Sequence, residues 1–284
     1  MNWHKVSPAI LTLLIFLLAQ GIGTILIFGI GMLTSPEFNN AMQAYLSGQA
    51  QSLPLLEMMS ITTFSVTLAA VNILAILLCH FILRNIRFVT ACDIASISWK
   101  PGTIAIAAGI LCALCISIIT EKVELPDVMQ QISIAMSHNI WGLMTITIIG
   151  PITEELIFRE AIEGEMLRRG ANPWMAITIS ALAFSIAHLN LAQSLYAFPL
   201  ALLFGIIYYK TGNIVLTALL HILNNGIVAL QLHTLGEDIN NLSYSQYFGS
   251  TTNTYVIMLL SGILCITLTK VFWHSYQPNT KPQK

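Results

Sequence analysis

Eight stretches of this chain read as membrane crossings, and no other feature narrows its fold so far. A helical span needs about 20 predominantly apolar residues. The candidates are Leu11–Met32, Ile61–Leu83, Thr103–Thr120, Ile140–Phe158, Trp174–Leu189, Ser194–Tyr209, Ile214–Leu232 and Thr254–Phe272. The fifth and sixth fall short of that length. Lipid offers backbone groups no hydrogen-bond partner, so spans of this kind must be helical. The predicted fold is therefore all-α: a polytopic bundle of about eight spans. Composition agrees, with 56% hydrophobic and only 9% charged residues, against about a quarter charged in a soluble domain. The apolar run that starts after Lys5 and ends near Met32 is too long for a signal-peptide core, so it is read as a retained first span. The C-terminal Lys281–Lys284 is not a prenylation box.

Loop charge gives the expected orientation. Loops on one side hold Lys5, then Arg84, Arg87 and Lys100, then Arg168 and Arg169, then Lys210, and finally Lys270, Lys281 and Lys284. Loops on the other side hold Glu37 and Glu57, then Glu121, Glu124 and Asp127 beside Lys122, then the uncharged Asn190–Gln193, then Glu237 and Asp238. Basic loops face the cytoplasm, which places both termini there. Trp3, Trp99, Trp141, Trp174 and Trp273 all fall at span ends, as interfacial anchors do. The loop Thr34–Ser60, with Pro36 and Pro54, could lie along the interface as a short segment. With a net charge of −1 and no basic patch, nucleic acid is excluded as a partner. Cys79, Cys92, Cys112, Cys115 and Cys265 read as small buried hydrophobes rather than a disulfide framework.

Ionisable residues are costly inside spans and mark function. The first three spans hold almost none beyond His80, whereas the middle of the chain holds Glu154, Glu155, Arg159, Glu160, Glu163, His188 and His221. Three constellations stand out. In Pro151-Ile-Thr-Glu-Glu-Leu-Ile-Phe-Arg159, the proline kinks or restarts the helix. Glu155 and Arg159 share a face as i,i+4 partners, while Glu154 points elsewhere, about 100° round the helix. One carboxylate is then paired and the other left free. Phe184 and His188 share a face in the second constellation. His221 and Asn225 do so in the third, with Asn224 pointing away. Each alone could be structural: an ion-paired cluster, a packing histidine, or interhelical polar glue. A hairpin near Ala171–Asn172 would set Glu154 and His188 at one depth, with His221 within several ångströms, because the rise per residue is constant.

Two chemistries suit this set. A carboxylate and an imidazole can activate water as a base pair, while a second His and an Asn amide stabilise an oxyanion. Alternatively, Glu154, His188 and His221 make the two-His, one-carboxylate ligand set of a catalytic zinc, with Glu155 as base and Asn225 in support. The absence of HExxH excludes a zincin helix. The cofactor is thus zinc or none.

Taken together, Glu154-Glu155-Leu-Ile-Phe-Arg159, Phe184-Ser-Ile-Ala-His188 and His221-Ile-Leu-Asn-Asn225 resemble the EExxxR, FxxxH and HxxxN motifs of the CAAX prenyl protease and bacteriocin-processing family of intramembrane proteases. Phe204-Gly205 and Thr211-Gly212-Asn213-Ile214 also look familiar. The likeness covers roughly Ile140–Leu232. It implies an endopeptidase in which Glu154 is the base and His188 holds and activates water. It also implies that His221 and Asn225 serve the oxyanion, and that Glu155 and Arg159 fix the helix. Glu160 departs from the pattern, where a small residue often follows the arginine, and adds negative charge near the site. The implied substrates are prenylated or short hydrophobic peptides or a membrane protein, and the implied location is a bacterial plasma membrane. A non-catalytic immunity or peptide-binding protein of the same fold is the alternative. A solute transporter fits less well, because only one half of the chain is charged. The expected organisation is three N-terminal spans in 1–137, a catalytic core in 138–233, and an outer loop, last span and tail in 234–284.

Overall fold

The computed structural model describes residues 3–49, 60–95, 97–123, 125, 127, 129–212 and 214–276. Pro54, Glu57, Glu124, Asn213, Lys281 and Lys284 lie outside the described residues. The described chain is helical, and seven of its helices are long and apolar enough to cross a membrane. In chain order the helices are α1 (Trp3–Thr34), α2 (Pro36–Leu46), α3 (Ile61–Leu83), α4 (Ala91–Ala95), α5 (Trp99–Glu121), α6 (Gln130–Ser137) and α7 (Ile140–Arg168). They continue as α8 (Pro173–Ala187), α9 (Leu191–Thr211), α10 (Val215–Leu235), α11 (Tyr244–Tyr247) and α12 (Thr251–Ser275). α8 is the eighth apolar helix, short at 15 residues. α9, expected to be short, is a full 21 residues.

Local chemistry sets several of these boundaries. Ser35 accepts the Phe38 N–H and Pro36 occupies the first turn of α2, whose Phe38 and Met42 pack on Ile27 and Phe28 of α1. Part of the first loop is thus an amphipathic helix lying against the bundle. Asn172 accepts the N–H groups of Trp174 and Met175 and starts α8 at Pro173, which puts the hairpin turn where the sequence places it.

α7 runs well past Phe158 to Arg168, so Glu154 lies midway along it. It is not uniformly α-helical. A π segment, Thr145–Ile149, is followed by an α turn, Gly150–Glu154, and then by a ten-residue π segment, Glu155–Gly164. Pro151 sits in the first turn of the restarted α segment. π geometry is rare and costs hydrogen-bond quality. Here side-chain donors reinforce it. Ser180 donates to the Phe158 carbonyl at 2.7 Å, Asn85 to that of Ala161 at 3.1 Å, and Arg168 to that of Glu160 at 3.2 Å.

The core forms around α7. Phe16 of α1, Phe158 of α7 and Phe184 of α8 stack edge to face in series. A second core joins Leu203, Phe204 and Ile207 of α9 to Leu216 and Leu220 of α10 and Phe272 of α12. The basic loops gather at one end of the bundle. Lys5 bonds the Gly170 carbonyl, Arg169 that of His4, and Arg87 that of Gly212. Trp174, Tyr209 and Trp273 stack there, with Lys210 over the Trp273 ring.

The start of α7 passes close to the end of α6, and a Cβ at Gly142 would overlap the Met136 backbone. Backbone cannot swing aside as a side chain can. Gly142→Ala is expected to cost about 1–3 kcal/mol, read as a lower thermal midpoint in detergent. Gly21→Ala, with nothing within 4 Å, should leave the midpoint near that of the wild type.

Candidate functional site

Arg159 is the largest fully buried side chain. A guanidinium cannot be neutralised in proteins, so a fold that buries one must surround it with compensating groups. Glu155 supplies the counter-charge, with Oε2 3.2 Å from Nε and both side chains at zero exposure. Two aromatic faces supply the rest. The guanidinium carbon lies 4.8 Å from the Phe184 ring centre and 5.5 Å from that of Phe204. Phe184 and Phe204 come from α8 and α9, so one charge fastens three helices.

Glu155 turns its other oxygen to α10. Its Oε1 is 3.0 Å from His221 Nδ1. A carboxylate oxygen can only accept, so Nδ1 carries the proton and Nε2 faces the other way. There Nε2 meets Glu154 Oε2 at 3.4 Å. This corrects the expectation that Glu154 points elsewhere. The two adjacent carboxylates bracket one imidazole, because the ring is wide enough for groups about 100° apart on a helix to reach its two nitrogens. Their environments differ, however. The Glu154 side chain is 27% exposed and that of Glu155 is 0% exposed. The free carboxylate and the fixed one are thus separated by burial.

His188 caps the C-terminus of α8. Its Nδ1 lies 2.9 Å from the Phe184 carbonyl, so this nitrogen donates and leaves Nε2 unused by that bond. His188 adjoins the cluster through Phe184, whose ring centre is 4.8 Å from its own and 5.6 Å from that of His221. The next residue, Leu189, has φ 49. A non-glycine residue in this left-handed region costs about 1–2 kcal/mol, and such strain clusters at functional sites. Here it turns the chain straight from His188 into α9.

Asn225 lies one turn beyond His221 and donates to the Ile146 carbonyl, at 3.0 Å, inside the first π segment. Asn224 also joins the site, contrary to expectation. It donates to Asn225 Oδ1 at 3.2 Å and accepts from the Tyr196 hydroxyl at 2.7 Å. Tyr196 was not a sequence candidate, because one tyrosine in an apolar run carries no motif. Glu160 does not join the histidines. It binds Arg168 at 2.7 Å and accepts from Tyr208 at 2.8 Å, with Arg87 at 3.7 Å. Its extra negative charge is therefore met by two arginines.

A metal held by Glu154, His188 and His221 would need all three donors to converge. Among the described residues no three His, Cys, Asp or Glu side chains do so. The arrangement does not fit that ligand set.

Residues 136–227 match the family model for the Rce1-like type II CAAX prenyl endopeptidases. The membrane-embedded CAAX protease MroQ of Staphylococcus aureus (strain USA300) is 30% identical over 110 residues, 37% of this chain and 44% of that protein. YdiL of Bacillus subtilis (strain 168), named as a membrane peptidase, is 32% identical over 84 residues, 30% of this chain and 34% of that protein. The chain thus matches less than half the length of either relative. No solved structure matches. The family resemblance read from the three motifs is borne out over a segment that contains every predicted site residue.

The unequal burial of the two glutamates separates their roles experimentally. Glu155→Leu strands the buried Arg159 charge and is expected to cost about 3–5 kcal/mol. Glu154→Gln leaves that pair intact and should stay within about 1 kcal/mol of the wild type. Thermal unfolding of the purified chain in detergent would compare them, and equal midpoints would refute the division.

Proposed function

We propose that this chain, with its Rce1-like segment over residues 136–227, is an intramembrane endopeptidase that hydrolyses a peptide bond with activated water. One observation carries this reading: His221 is held by the buried Glu155 through Nδ1 while Nε2 meets the half-exposed Glu154. A hydrogen bond across that last contact requires a proton between Nε2 and Oε2. With the proton on His221, the imidazolium sits between two carboxylates, and Glu154 is a free base.

In the proposed reaction Glu154 takes a proton from water as the hydroxyl oxygen adds to the carbonyl carbon. His188 Nε2, a lone-pair acceptor, orients that water. The developing oxyanion is met by the His221 imidazolium and by the Asn225 amide, which keeps a second N–H beyond the one given to Ile146. Glu154 then passes its proton to the departing amine, leaving one acid and one amine product. Glu155 and Arg159 orient His221 and do not touch substrate.

The exposed edge of Glu154 and the half-buried His188 lie among lipid-facing helices, which favours a substrate delivered from the bilayer: a prenylated or short hydrophobic peptide, or a membrane protein. The end of the bundle holding Lys5, Arg87, Arg168, Arg169 and Lys210 is assigned to the cytoplasm by the positive-inside rule, with the whole chain in a bacterial plasma membrane. The bacterial relatives support that location.

The deciding experiment is proteolysis by purified protein in detergent on a library of prenylated and unmodified peptides. Glu154→Gln and His188→Ala should each lower cleavage by about 100-fold or more, the scale of general acid–base catalysis, with folding intact. No cleavage by the wild type, alongside a cellular phenotype that both variants keep, would replace this reading with a non-catalytic peptide-binding or immunity role.

A further inference from the structure

One backbone carbonyl of α7 is denied both of its helical donors. Ile146 lies in the first π segment, Thr145–Ile149. In an α register its carbonyl would accept from Gly150, but the Gly150 N–H goes to Thr145. In a π register it would accept from residue 151, which is a proline and has no N–H. A bare carbonyl at membrane depth is costly. Asn225 of α10 meets this one, with Nδ2 at 3.0 Å.

That contact sets the direction of a hydrogen-bonded chain. A carbonyl can only accept, so the Asn225 amide turns its nitrogen to Ile146 and keeps Oδ1 as an acceptor. Asn224 Nδ2 donates to that oxygen at 3.2 Å. Asn224 Oδ1 in turn needs a donor, and the Tyr196 hydroxyl of α9 supplies it at 2.7 Å. Each link permits one orientation of the next. Reversing the Asn225 amide would set oxygen against oxygen at Ile146 and nitrogen against nitrogen at Asn224. Reversing Asn224 would put a second donor against the Tyr196 proton and an acceptor against Asn225 Oδ1.

We propose that Tyr196 is a positioning residue: its hydroxyl fixes the Asn224 amide, and Asn224 holds the Asn225 amide from the side opposite Ile146. Asn225 then presents its remaining Nδ2 proton in one place. This deepens the peptidase reading, and its catalytic consequence rests on Asn225 serving the oxyanion. The order of the Asn225 amide does not rest on that reading. Tyr196 itself touches no substrate.

The test uses the full chain in detergent, labelled with 15N-asparagine, with the Asn225 side-chain signal identified by its loss in Asn225→Ala. Wild type should show one pair of Asn225 amide protons. Tyr196→Phe removes only the hydroxyl and should shift or split that pair. On the fastest-cleaved peptide of the library above, Tyr196→Phe should lower kcat about five- to tenfold, the scale of one hydrogen bond, with KM within about twofold. Added to Asn224→Leu, it should lower kcat by less than about twofold more, because the link it acts through is already gone. An unchanged Asn225 pair in Tyr196→Phe overturns the proposal whatever the activity. So does a loss confined to KM, or a full further loss in the double variant. If Tyr196→Phe does not fold, Asn224→Leu breaks the same chain, and an unchanged Asn225 pair there overturns the proposal equally. If the wild type cleaves nothing, the peptidase reading falls and the Asn225 pair still decides the role of Tyr196.

Discussion

A guanidinium buried among apolar helices is the costliest group in this fold, and the site is organised by how its charge is met. Arg159 has no exposed surface, and the penalty of taking such an ion from water is several kcal/mol even after relaxation. Glu155 answers it from the same helix, and Phe184 and Phe204 cover it from two others. Glu155 has two oxygens, and the one not given to Arg159 reaches His221 on a fourth helix. A single ion pair therefore does two things: it neutralises the buried charge, and it orients the histidine that faces Glu154.

The second π segment of α7, Glu155–Gly164, holds Glu155, Arg159 and Glu163. Its poorer backbone geometry is sustained by side-chain donors: Ser180 of α8, Asn85 of the stretch after α3, and Arg168 at the end of α7 itself. Asn85 also donates to Thr12 of α1 at 2.7 Å, which binds the first span to the site region. The N-terminal helices thus brace the α7 segment although they contribute no group to the proposed chemistry.

Two adjacent glutamates with identical side chains are given different tasks by their surroundings. Glu155 is sealed and committed to Arg159 and His221, while Glu154 keeps an exposed edge. Glu160, five residues further on, is drawn the other way by Arg168, Tyr208 and Arg87. Gly164 allows that, since a Cβ there would collide with the Tyr208 hydroxyl. The acid that departs from the family pattern is thereby kept out of the histidine cluster.

Much of this could be read from residue order. Apolar runs of membrane length dictate helices because lipid cannot satisfy a bare backbone. The same reasoning locates the hairpin before Pro173, the chemistry between Glu154 and Asn225, and the shared face of Glu155 and Arg159. What residue order could not supply depends on contacts between distant segments. No local propensity announces a π segment, so the two in α7 were invisible. The convergence of Glu154 and Glu155 on one imidazole needed the position of α10, and the separation of Glu160 needed Tyr208 and Arg87. Tyr196 joined only through Asn224. Helix period and hydropathy are properties of neighbours in sequence, whereas the partner of a buried charge is chosen by whichever helix the fold brings alongside.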